Sequence, residues 1–397
     1  MKGFHKGIRR FCTVLAGLVF FGAGMLKLMD PVGAGLVVDE YFKFFHMPWL
    51  DFSSKAVGVV MALVETLTGA ALLAGVWKKA VAVVTSILTV GFTLLTLILV
   101  IFNPEMDCGC FGEAVHLTHL QTFLKNLALC AICAGAFLPF KDFGESRKAK
   151  VVVFSIVAAS VLAFTVYSLV SLPMIDFSEF APGTELAENA EDEEIAEGIS
   201  LNDESDTREQ YYVIYEKNGQ EGAFTLDKLP DSTWTFVRAE KISSTIPDYS
   251  QSTPLLFISD SDGEYRNELL AEGKVMVISI YDADGYKDFA KAERFLEDAR
   301  SAGFNAFVIS REYIPELDSF TSDYKKVITL NRSNGGVTFI DDGEIIRKWP
   351  ARNVPDSDEL RKIFTKNSAE IMITNTSEGR IFFQGFILYS LALLLIL

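Results

Sequence analysis

Cysteine is scarce in this chain, with five among 397 residues and none after Cys133. So few thiols exclude the dense disulfide framework of small secreted proteins. Positive charge is also scarce, because 36 lysines and arginines face 52 acidic residues and the net charge is −16. A chain this acidic does not suggest a nucleic-acid partner. Any thiol chemistry must therefore be local, and it must lie before residue 134.

Long apolar runs occur before residue 174 and again at the C-terminal end. A helix that crosses a bilayer needs roughly 20 predominantly apolar residues. Segments that approach or exceed this length are residues 11–29, 56–77, 80–102, 120–140, 151–173 and 381–397. The first follows a basic N-terminus but has no convincing cleavage site, so we interpret it as a retained anchor. The last is the shortest, and it is either a sixth span or a packing helix.

Basic residues cluster in alternate loops between these runs. They precede the first run, separate the second from the third, and separate the fourth from the fifth. Because basic loops stay on the cytoplasmic side, the N-terminus is predicted to be cytoplasmic. The loops 30–54 and 103–119 and the region 174–380 are then periplasmic, in a bacterial inner membrane.

The region after the fifth run changes character. Residues 174–210 contain thirteen acidic residues and one basic residue, Arg208, which predicts a solvated, disordered linker. Residues 211–366 follow with strand and hairpin patterns ("YYVIYEKNGQEGAFTL", "STWTFV"), a strand ("KVMVISI"), an amphipathic helix ending at Gly303 and a strand ("FNAFVIS"). A helix-like stretch ("REYIPELDSFTSDY"), a strand ("KKVITLN") and a hairpin ("GGVTFIDDGEIIRKWP") complete an α/β order.

This α/β order resembles the thioredoxin fold, but its redox motif is missing. A thioredoxin carries Cys-x-x-Cys at the head of the helix that follows the first central strand, where the helix dipole lowers the thiol pKa. The matching stretch here is "DADGYKDF", and Gly335 or Gly336 stands where a cis-proline is expected. We therefore expect this domain to bind or scaffold rather than exchange dithiols.

Cys108-Gly109-Cys110, in the loop "NPEMDCGCFGEAVHLTH", is the main chemical candidate. Two thiols separated by one residue can close a small, strained disulfide, which makes the pair exchangeable. A structural turn is one alternative. A metal site is another, because His116 and His119 follow within twelve residues, although the spacing fits no common zinc pattern. We interpret the two histidines as interfacial residues.

The other three cysteines lie inside apolar runs. Cys130 and Cys133 share one face of the fourth run, and Cys12 lies in the first. A relay pair is one interpretation of Cys130 and Cys133, but cysteine is also a good small residue for helix packing. We favour packing for all three.

Three ionisable residues lie within the predicted spans: Lys27, Glu65 and Lys125. Such groups are costly in a bilayer and usually face a partner or a cavity. If the helices form one bundle, Glu65 pairs with Lys27 or Lys125 in a polar pocket under the cysteine loop. A lysine there stabilises a thiolate and the carboxylate moves protons. The alternative is a purely structural ion pair.

"GAGMLKLMDP", "ETLTGAALLAG" and "DCGCFG" together resemble the DoxX/MauE group of bacterial membrane proteins over about residues 5–140. The whole architecture is similar to DoxX-family proteins of Bacteroidetes that carry a C-terminal thioredoxin-like domain. The resemblance implies a four-helix membrane core with additional spans, and a role in disulfide formation of the kind assigned to MauE in methylamine utilisation. No cofactor is evident from the residues. A quinone acceptor is implied only by analogy with vitamin K epoxide reductase-type bundles.

The sequence thus predicts an all-α membrane bundle fused to a soluble α/β thioredoxin-like domain. The favoured function is thiol–disulfide chemistry with periplasmic client proteins, in which Cys108 and Cys110 exchange and Lys27, Glu65 and Lys125 tune them. The alternative is a non-enzymatic membrane assembly or scaffolding factor whose cysteines are structural. A small-molecule transporter is a third hypothesis, supported only by one intramembrane carboxylate.

Overall fold

A computed structural model describes residues 2–138, 145–186, 211–217, 220–225, 235–241 and 255–396. The helices of the N-terminal region are α1 (Lys2–Met29), α2 (Pro31–Phe44), α3 (Ser54–Ala74), α4 (Lys78–Phe102), α5 (His119–Phe137) and α6 (Lys148–Val170), with a short strand β1 (Cys110–Glu113) between α4 and α5. A final helix, α11 (Ser368–Ile396), ends the described chain.

Six helices in the described part of the chain are long and apolar enough to cross a membrane. They are Lys6–Met29, Pro48–Ala74, Lys78–Phe102, His119–Phe137, Lys148–Val170 and Ser368–Leu395. They correspond to the six apolar runs of the sequence, and the last begins well before residue 381. The N-terminal region is therefore a membrane helical bundle, and the protein is a multi-pass membrane protein.

Glycines let α1 and α3 approach closely. An added Cβ at Gly24 would lie 2.2 Å from Thr66 Oγ1, and one at Gly69 would lie 2.3 Å from the backbone nitrogen of Phe21. Small residues at helix interfaces allow this kind of close contact in membrane bundles. Buried apolar residues of α1, α3, α5 and α6 then form one core.

Helix α2 was not predicted, because residues 30–54 were interpreted as a loop. Asp30 begins it: the Asp30 carboxylate accepts from the backbone N–H of Gly33, and Pro31 occupies the first helical turn. A short 3₁₀ helix, Pro48–Ser53, follows. Trp49 and Phe52 are exposed there, at the junction between α2 and α3.

The C-terminal region contains a mixed five-stranded sheet in the order β7-β6-β5-β8-β9. Its elements are α7 (Glu268–Ala271), β5 (Lys274–Ile280), α8 (Phe289–Ala302), β6 (Asn305–Ser310), β7 (Phe320–Thr321), α9 (Tyr324–Leu330), β8 (Gly336–Asp341), β9 (Glu344–Trp349) and α10 (Ser357–Thr365). Strand β5 pairs parallel with β6 and antiparallel with β8, which pairs antiparallel with β9. All six residues of β5 after Lys274 are buried, so the sheet is covered on both faces.

Two predicted elements of this region are wrong. The stretch predicted as a helix contains the 3₁₀ turn Pro315–Leu317 and the strand β7. The stretch "KKVITLN", predicted as a strand, forms helix α9. The Asp323 carboxylate caps α9 by accepting from the N–H groups of Lys325 and Lys326, and this cap outweighs the β propensity of the valine, isoleucine and threonine that follow.

The domain predicted for residues 211–366 is divided. Strands β2 (Tyr211–Lys217), β3 (Gln220–Thr225) and β4 (Thr235–Lys241) form their own sheet, in the order β3-β2-β4. The pairing of β2 with β3 is antiparallel, as the predicted hairpin requires. Residues 187–255 are a compact unit distinct from the rest of the chain.

The linker predicted for residues 174–210 is partly wrong as well. Phe180 and Leu186 are fully buried, and the backbone N–H of Gly183 donates to the carbonyl of Ile345 at 2.7 Å. Asp176 accepts a 2.6 Å bond from the buried ammonium of Lys348. Residues 174–186 therefore pack along β9. The burial of two large apolar side chains and one ion pair offsets the conformational entropy that is lost when this acidic segment is ordered. The remainder, 187–210, lies outside the described residues.

Candidate functional site

The cysteine loop joins α4 to α5 and turns at two glycines. Gly109 has φ +59° and Gly112 has φ +61°, a region that side-chain-bearing residues rarely adopt. Gly109 also presses against α2, since an added Cβ would lie 2.2 Å from Val37 Cγ1. The glycine between the two thiols is thus required both by the turn and by the close approach of α2.

Cys108 faces a histidine at the start of α5. Its Sγ lies 3.0 Å from Nδ1 of His119, and Nε2 of the same ring lies 2.9 Å from the carbonyl oxygen of Pro104. A carbonyl only accepts, so Nε2 carries the hydrogen and Nδ1 of the neutral ring accepts from the thiol. Thr118 holds this geometry by capping α5, in a capping box with Gln121.

The environment of Cys108 keeps its thiol protonated. Burial raises the pKa of the Cys108 thiol, and the nearby Cys110 and Asp107 add to the increase, while Lys125 opposes it. The side chain is only 7% exposed. The thiolate is the reactive form of cysteine. The reactivity of this thiol therefore depends on a nearby proton acceptor, and His119 is in the position to be one.

Tyr41 ties the loop to α2 from the other side. Its hydroxyl donates to the carbonyl oxygen of Cys108 at 3.0 Å, and burial raises the pKa of this phenol. Together with the contact between Gly109 and Val37, this bond fixes the backbone on both sides of the Cys108 thiol. Cys110 is less buried than Cys108, so it is the more accessible of the two.

A cavity of about 220 Å³ lies beneath this loop, inside the bundle. Side chains of α1–α5 form its mainly apolar wall, among them Val19, Phe20, Val37, Met61, Phe92 and Leu129. Its polar lining comprises Lys27, Tyr41, Glu65, Thr96, Lys125 and Asn126, together with Cys108 and Cys110 themselves. An apolar space with a few convergent polar groups is typical of a small-molecule site.

The three predicted intramembrane charges all line this cavity. The Lys27 ammonium is 2.8 Å from both carboxylate oxygens of Glu65, and the Glu65 side chain is 3% exposed. Lys125 does not join this pair; its ammonium lies 4.6 Å from the centroid of the Phe111 ring. Glu65 therefore pairs with Lys27, whereas Lys125 lies next to β1, the strand that carries Cys110.

The remaining cysteines lie away from the loop. Cys130 Sγ is 3.3 Å from Thr93 Oγ1, and Cys133 Sγ is 3.6 Å from Thr89 Oγ1, so both contact α4 one turn apart. His116 is exposed and lies 3.4 Å from Asp107 rather than beside a thiol. Within the described ranges, no three His, Cys, Asp or Glu side chains converge in a way that could hold a metal ion.

These features define a multi-pass membrane protein with a dithiol loop above a cavity in the helical bundle. Residues 6–139 match the family model described as methylamine utilisation protein MauE. The bundle with its cysteine loop is therefore MauE-like, which confirms that part of the predicted resemblance. Residues 210–243 match a domain of unknown function (DUF8463). Searches of curated proteins and of solved structures gave no match.

The sequence interpretation placed five residues at the site and missed others. Cys108, Cys110, Lys27, Glu65 and Lys125 all line one cavity. His119 was interpreted as an interfacial residue, yet it contacts Cys108. A signal for it existed: Thr118 and Gln121 form a capping-box pattern, which places His119 in the first turn of a helix next to the loop. Tyr41 had no comparable signal, because its helix lies far away in sequence.

Proposed function

We propose that this protein is a bacterial inner-membrane thiol–disulfide oxidoreductase that oxidises dithiols of periplasmic client proteins through Cys108 and Cys110. The observation that carries the proposal is the 3.0 Å contact between His119 Nδ1 and the thiol of Cys108, a residue that lines the cavity. A thiol paired with an imidazole whose other nitrogen is held by a carbonyl is arranged for proton transfer.

Client oxidation begins from the Cys108–Cys110 disulfide. The first client thiol loses its proton to the neutral His119 ring, and its thiolate attacks Sγ of Cys110, the more accessible sulfur. Cys108 leaves as a thiolate and takes that proton back from the His119 imidazolium. The second client thiol loses its proton to water, its thiolate attacks the client sulfur of the mixed disulfide, and the released Cys110 thiolate takes a proton from water. The client gains a disulfide, and its two electrons remain on Cys108 and Cys110 as two thiols.

The dithiol must then lose two electrons and two protons, and the cavity supports a lipid-soluble quinone as acceptor. An engineered cavity of about 150 Å³ accommodates benzene, so this cavity of about 220 Å³ is large enough for a larger ring. A quinone bound there would supply the acceptor for these two electrons and two protons. Lys27 and Lys125 would donate hydrogen bonds to its oxygens, Glu65 would hold Lys27 in place, and His119 would take the proton of Cys108.

The soluble sheet supports a thioredoxin-like domain without thiols. Strand β5, helix α8 and parallel strand β6 are followed by the short strand β7, helix α9 and the antiparallel pair β8 and β9. No cysteine follows Cys133. In this proposal the domain contributes binding and positioning, and all dithiol chemistry belongs to the loop.

A non-enzymatic membrane assembly or scaffolding factor is the second candidate. It is favoured by the burial of Cys108 and by the raised pKa of its thiol, both of which suit a structural cysteine. The two candidates differ in whether the pair changes redox state during growth.

Trapping the redox state of the loop thiols in growing cells distinguishes the two candidate functions. Acid quenching followed by alkylation reports whether Cys108 and Cys110 are oxidised. Cys108→Ser, which keeps Cys110 as the sulfur that bonds the client, should trap a mixed disulfide with a client, and Cys110→Ser should not. Cys130→Ser is the matched control, because Cys130 contacts Thr93 and does not line the cavity. We expect the loop pair to shift towards the dithiol when quinone is depleted. A pair found in one state under all conditions, with unchanged client oxidation in Cys108→Ser, would favour the scaffold.

A purified system tests the acceptor directly. The reduced protein in nanodiscs should form the Cys108–Cys110 disulfide when a short-chain naphthoquinone is added, with one quinone consumed per disulfide. Cys108→Ser should consume none. Equal consumption by the two proteins would contradict the assignment of the cavity.

A further inference from the structure

The side chain of Arg332, in the sheet domain, contacts two acidic residues of the membrane bundle region. Arg332 lies in the loop between α9 and β8, and its side chain is 5% exposed. Its Nε donates to Asp30 Oδ2 at 3.1 Å, and one terminal nitrogen donates to Glu113 Oε1 at 3.0 Å. The other terminal nitrogen donates to Thr329 Oγ1 at 3.1 Å within its own domain.

The two carboxylates belong to the elements that form one side of the cavity. Asp30 caps α2, which lines the cavity with Ala34, Val37, Val38 and Tyr41. Glu113 ends β1, which lines it with Cys110 and Phe111. Arg332 is thus a third tie between α2 and the cysteine loop, beside the bond from Tyr41 to Cys108 and the contact of Val37 with Gly109.

The charges at this point are strongly coupled. Burial raises the pKa of Glu113, Asp30 raises it further, and Arg332 opposes both. Burial alone would lower the pKa of Arg332, but Asp30 and Glu113 outweigh it and raise it. Without the guanidinium, two carboxylates would repel each other across the junction of α2 and β1.

Other cations also attach the same domain, and one of them, Lys325, pairs with Glu40 of α2. Lys326 donates to Glu179 at 2.8 Å, and Lys348 donates to Asp176, both in the segment after α6. Neither contact touches an element of the cavity wall. Removing Lys326 therefore weakens the attachment of the domain without altering the tie between α2 and the cysteine loop.

We infer that Arg332 is a positioning residue for the dithiol: the soluble domain uses it to hold β1 against α2 and so keeps Cys108 buried beside His119. Its consequence for client oxidation rests on the proposed function, whereas its effect on the loop does not. The guanidinium group of Arg332 binds two carboxylates at once. Through this group the sheet domain, which has no thiol, completes the site that contains Cys108 and Cys110.

The test measures how fast Cys108 is alkylated in native membranes whose disulfides have first been reduced, with mass spectrometry resolving each cysteine. In Arg332→Gln we expect Cys108 to react at least about tenfold faster, as expected when a buried hydrogen-bonded charge pair is broken. Lys326→Gln is the matched control and should react like the wild type. Cys130 in the same samples reports whether the bundle itself has loosened, and its rate should not change.

A rescue separates positioning from general damage. Glu113→Gln added to Arg332→Gln removes the carboxylate repulsion and should return the alkylation rate most of the way to that of the wild type. Limited proteolysis of the soluble domain checks that each variant is folded, and Arg332→Lys, which keeps the charge but loses the fork, should react at an intermediate rate. The inference is overturned if Arg332→Gln matches Lys326→Gln, or if the double variant stays as reactive as the single one.

The same measurement distinguishes this inference from the proposed function. Alkylation rates report loop geometry whether or not the pair cycles, and in-cell redox trapping reports cycling whether or not Arg332 matters. A fast Cys108 in Arg332→Gln with no redox cycling would retain the positioning role and reject the oxidoreductase.

Discussion

The membrane bundle and the C-terminal sheet domain differ in where the partners of their buried charges lie. The bundle buries the Lys27–Glu65 pair and a thiol–imidazole contact around a cavity of about 220 Å³. The sheet domain packs mainly aliphatic and aromatic side chains between β5, α8 and α10, and it contains no thiol. Its buried cations, Arg332 and Lys348, pair with carboxylates that lie outside the domain. Buried ionisable groups are costly in a membrane and usually face a partner or a cavity. The comparison teaches that the bundle pairs its buried charges internally around the cavity, whereas the sheet domain directs its buried cations towards other parts of the chain.

Breaking the buried ion pair should give the largest effect. Glu65→Leu leaves the Lys27 ammonium buried without its partner and should cost about 3–5 kcal/mol of unfolding free energy. The double variant Lys27→Met/Glu65→Leu should recover most of that loss. The measurement is the unfolding free energy in a detergent titration.

The matched control lies in the sheet domain. Arg361 and Asp358 form a 3.9 Å pair in which both side chains are exposed, so Arg361→Gln should change stability by about 0–1 kcal/mol. Equal losses of unfolding free energy in Glu65→Leu and Arg361→Gln would contradict the expected difference between the buried pair of the bundle and the exposed pair of the sheet domain.

Replacing the imidazole should give the next largest effect. In His119→Gln, exchange of the loop dithiol should slow by roughly 10²-fold, the scale of general acid–base catalysis. Burial raises the pKa of Cys108, so without its base the reaction should recover as pH rises and when free imidazole is added. Stopped-flow exchange with a model disulfide measures both.

His116 supplies the control for that experiment. It is exposed beside Asp107, so His116→Gln should leave the rate and its pH profile unchanged. If both histidine variants slowed exchange equally, the specific role of His119 would be lost.

The buried carboxylate under β9 should give a smaller, pH-dependent effect. Burial raises the pKa of Asp176, but Lys348 and Ser178 outweigh it and hold the pKa below 3.8. Its contribution to stability is therefore full above pH 3.8 and is lost as pH falls through the lower folded-state value. Asp176→Asn should cost about 1.5–3 kcal/mol at neutral pH and flatten the acid limb of the stability curve. An unchanged acid limb would show that the pair with Lys348 contributes nothing.

The two loop glycines should give the smallest difference. Both have positive φ, but a Cβ at Gly109 would meet Val37 at 2.2 Å, whereas one at Gly112 has no neighbour closer than 3.9 Å. Gly109→Ala should therefore destabilise the protein by at least about 1 kcal/mol more than Gly112→Ala. The measurement is thermal unfolding in detergent. Equal losses of stability in the two variants would mean that backbone strain alone matters and that α2 shifts to accommodate the added methyl group.

Prediction from sequence succeeded where the signal is carried by consecutive residues. The apolar runs matched the six candidate spans, and β5, α8 ending at Gly303 and the β8–β9 hairpin lie where the patterns indicated. It failed at α9, where an Asp323 cap outweighed a β-rich composition, and in residues 174–186, where Phe180 and Leu186 pack an acidic segment onto the sheet. In residues 174–186 contacts with distant β9 decided the outcome, whereas at α9 the deciding cap is local and lies just before the stretch that was interpreted as a strand.

The sequence alone therefore determined the membrane spans, the acidic character of the rest and the location of every thiol before residue 134. Only the tertiary structure decided that Glu65 pairs with Lys27, that His119 faces Cys108, and that Arg332 joins Asp30 and Glu113. Hydrophobic length and local propensity are properties of neighbouring residues. The pairing of charges across 38, 302 and 219 positions of the chain depends on which helices and loops pack together, and that is a property of the whole fold.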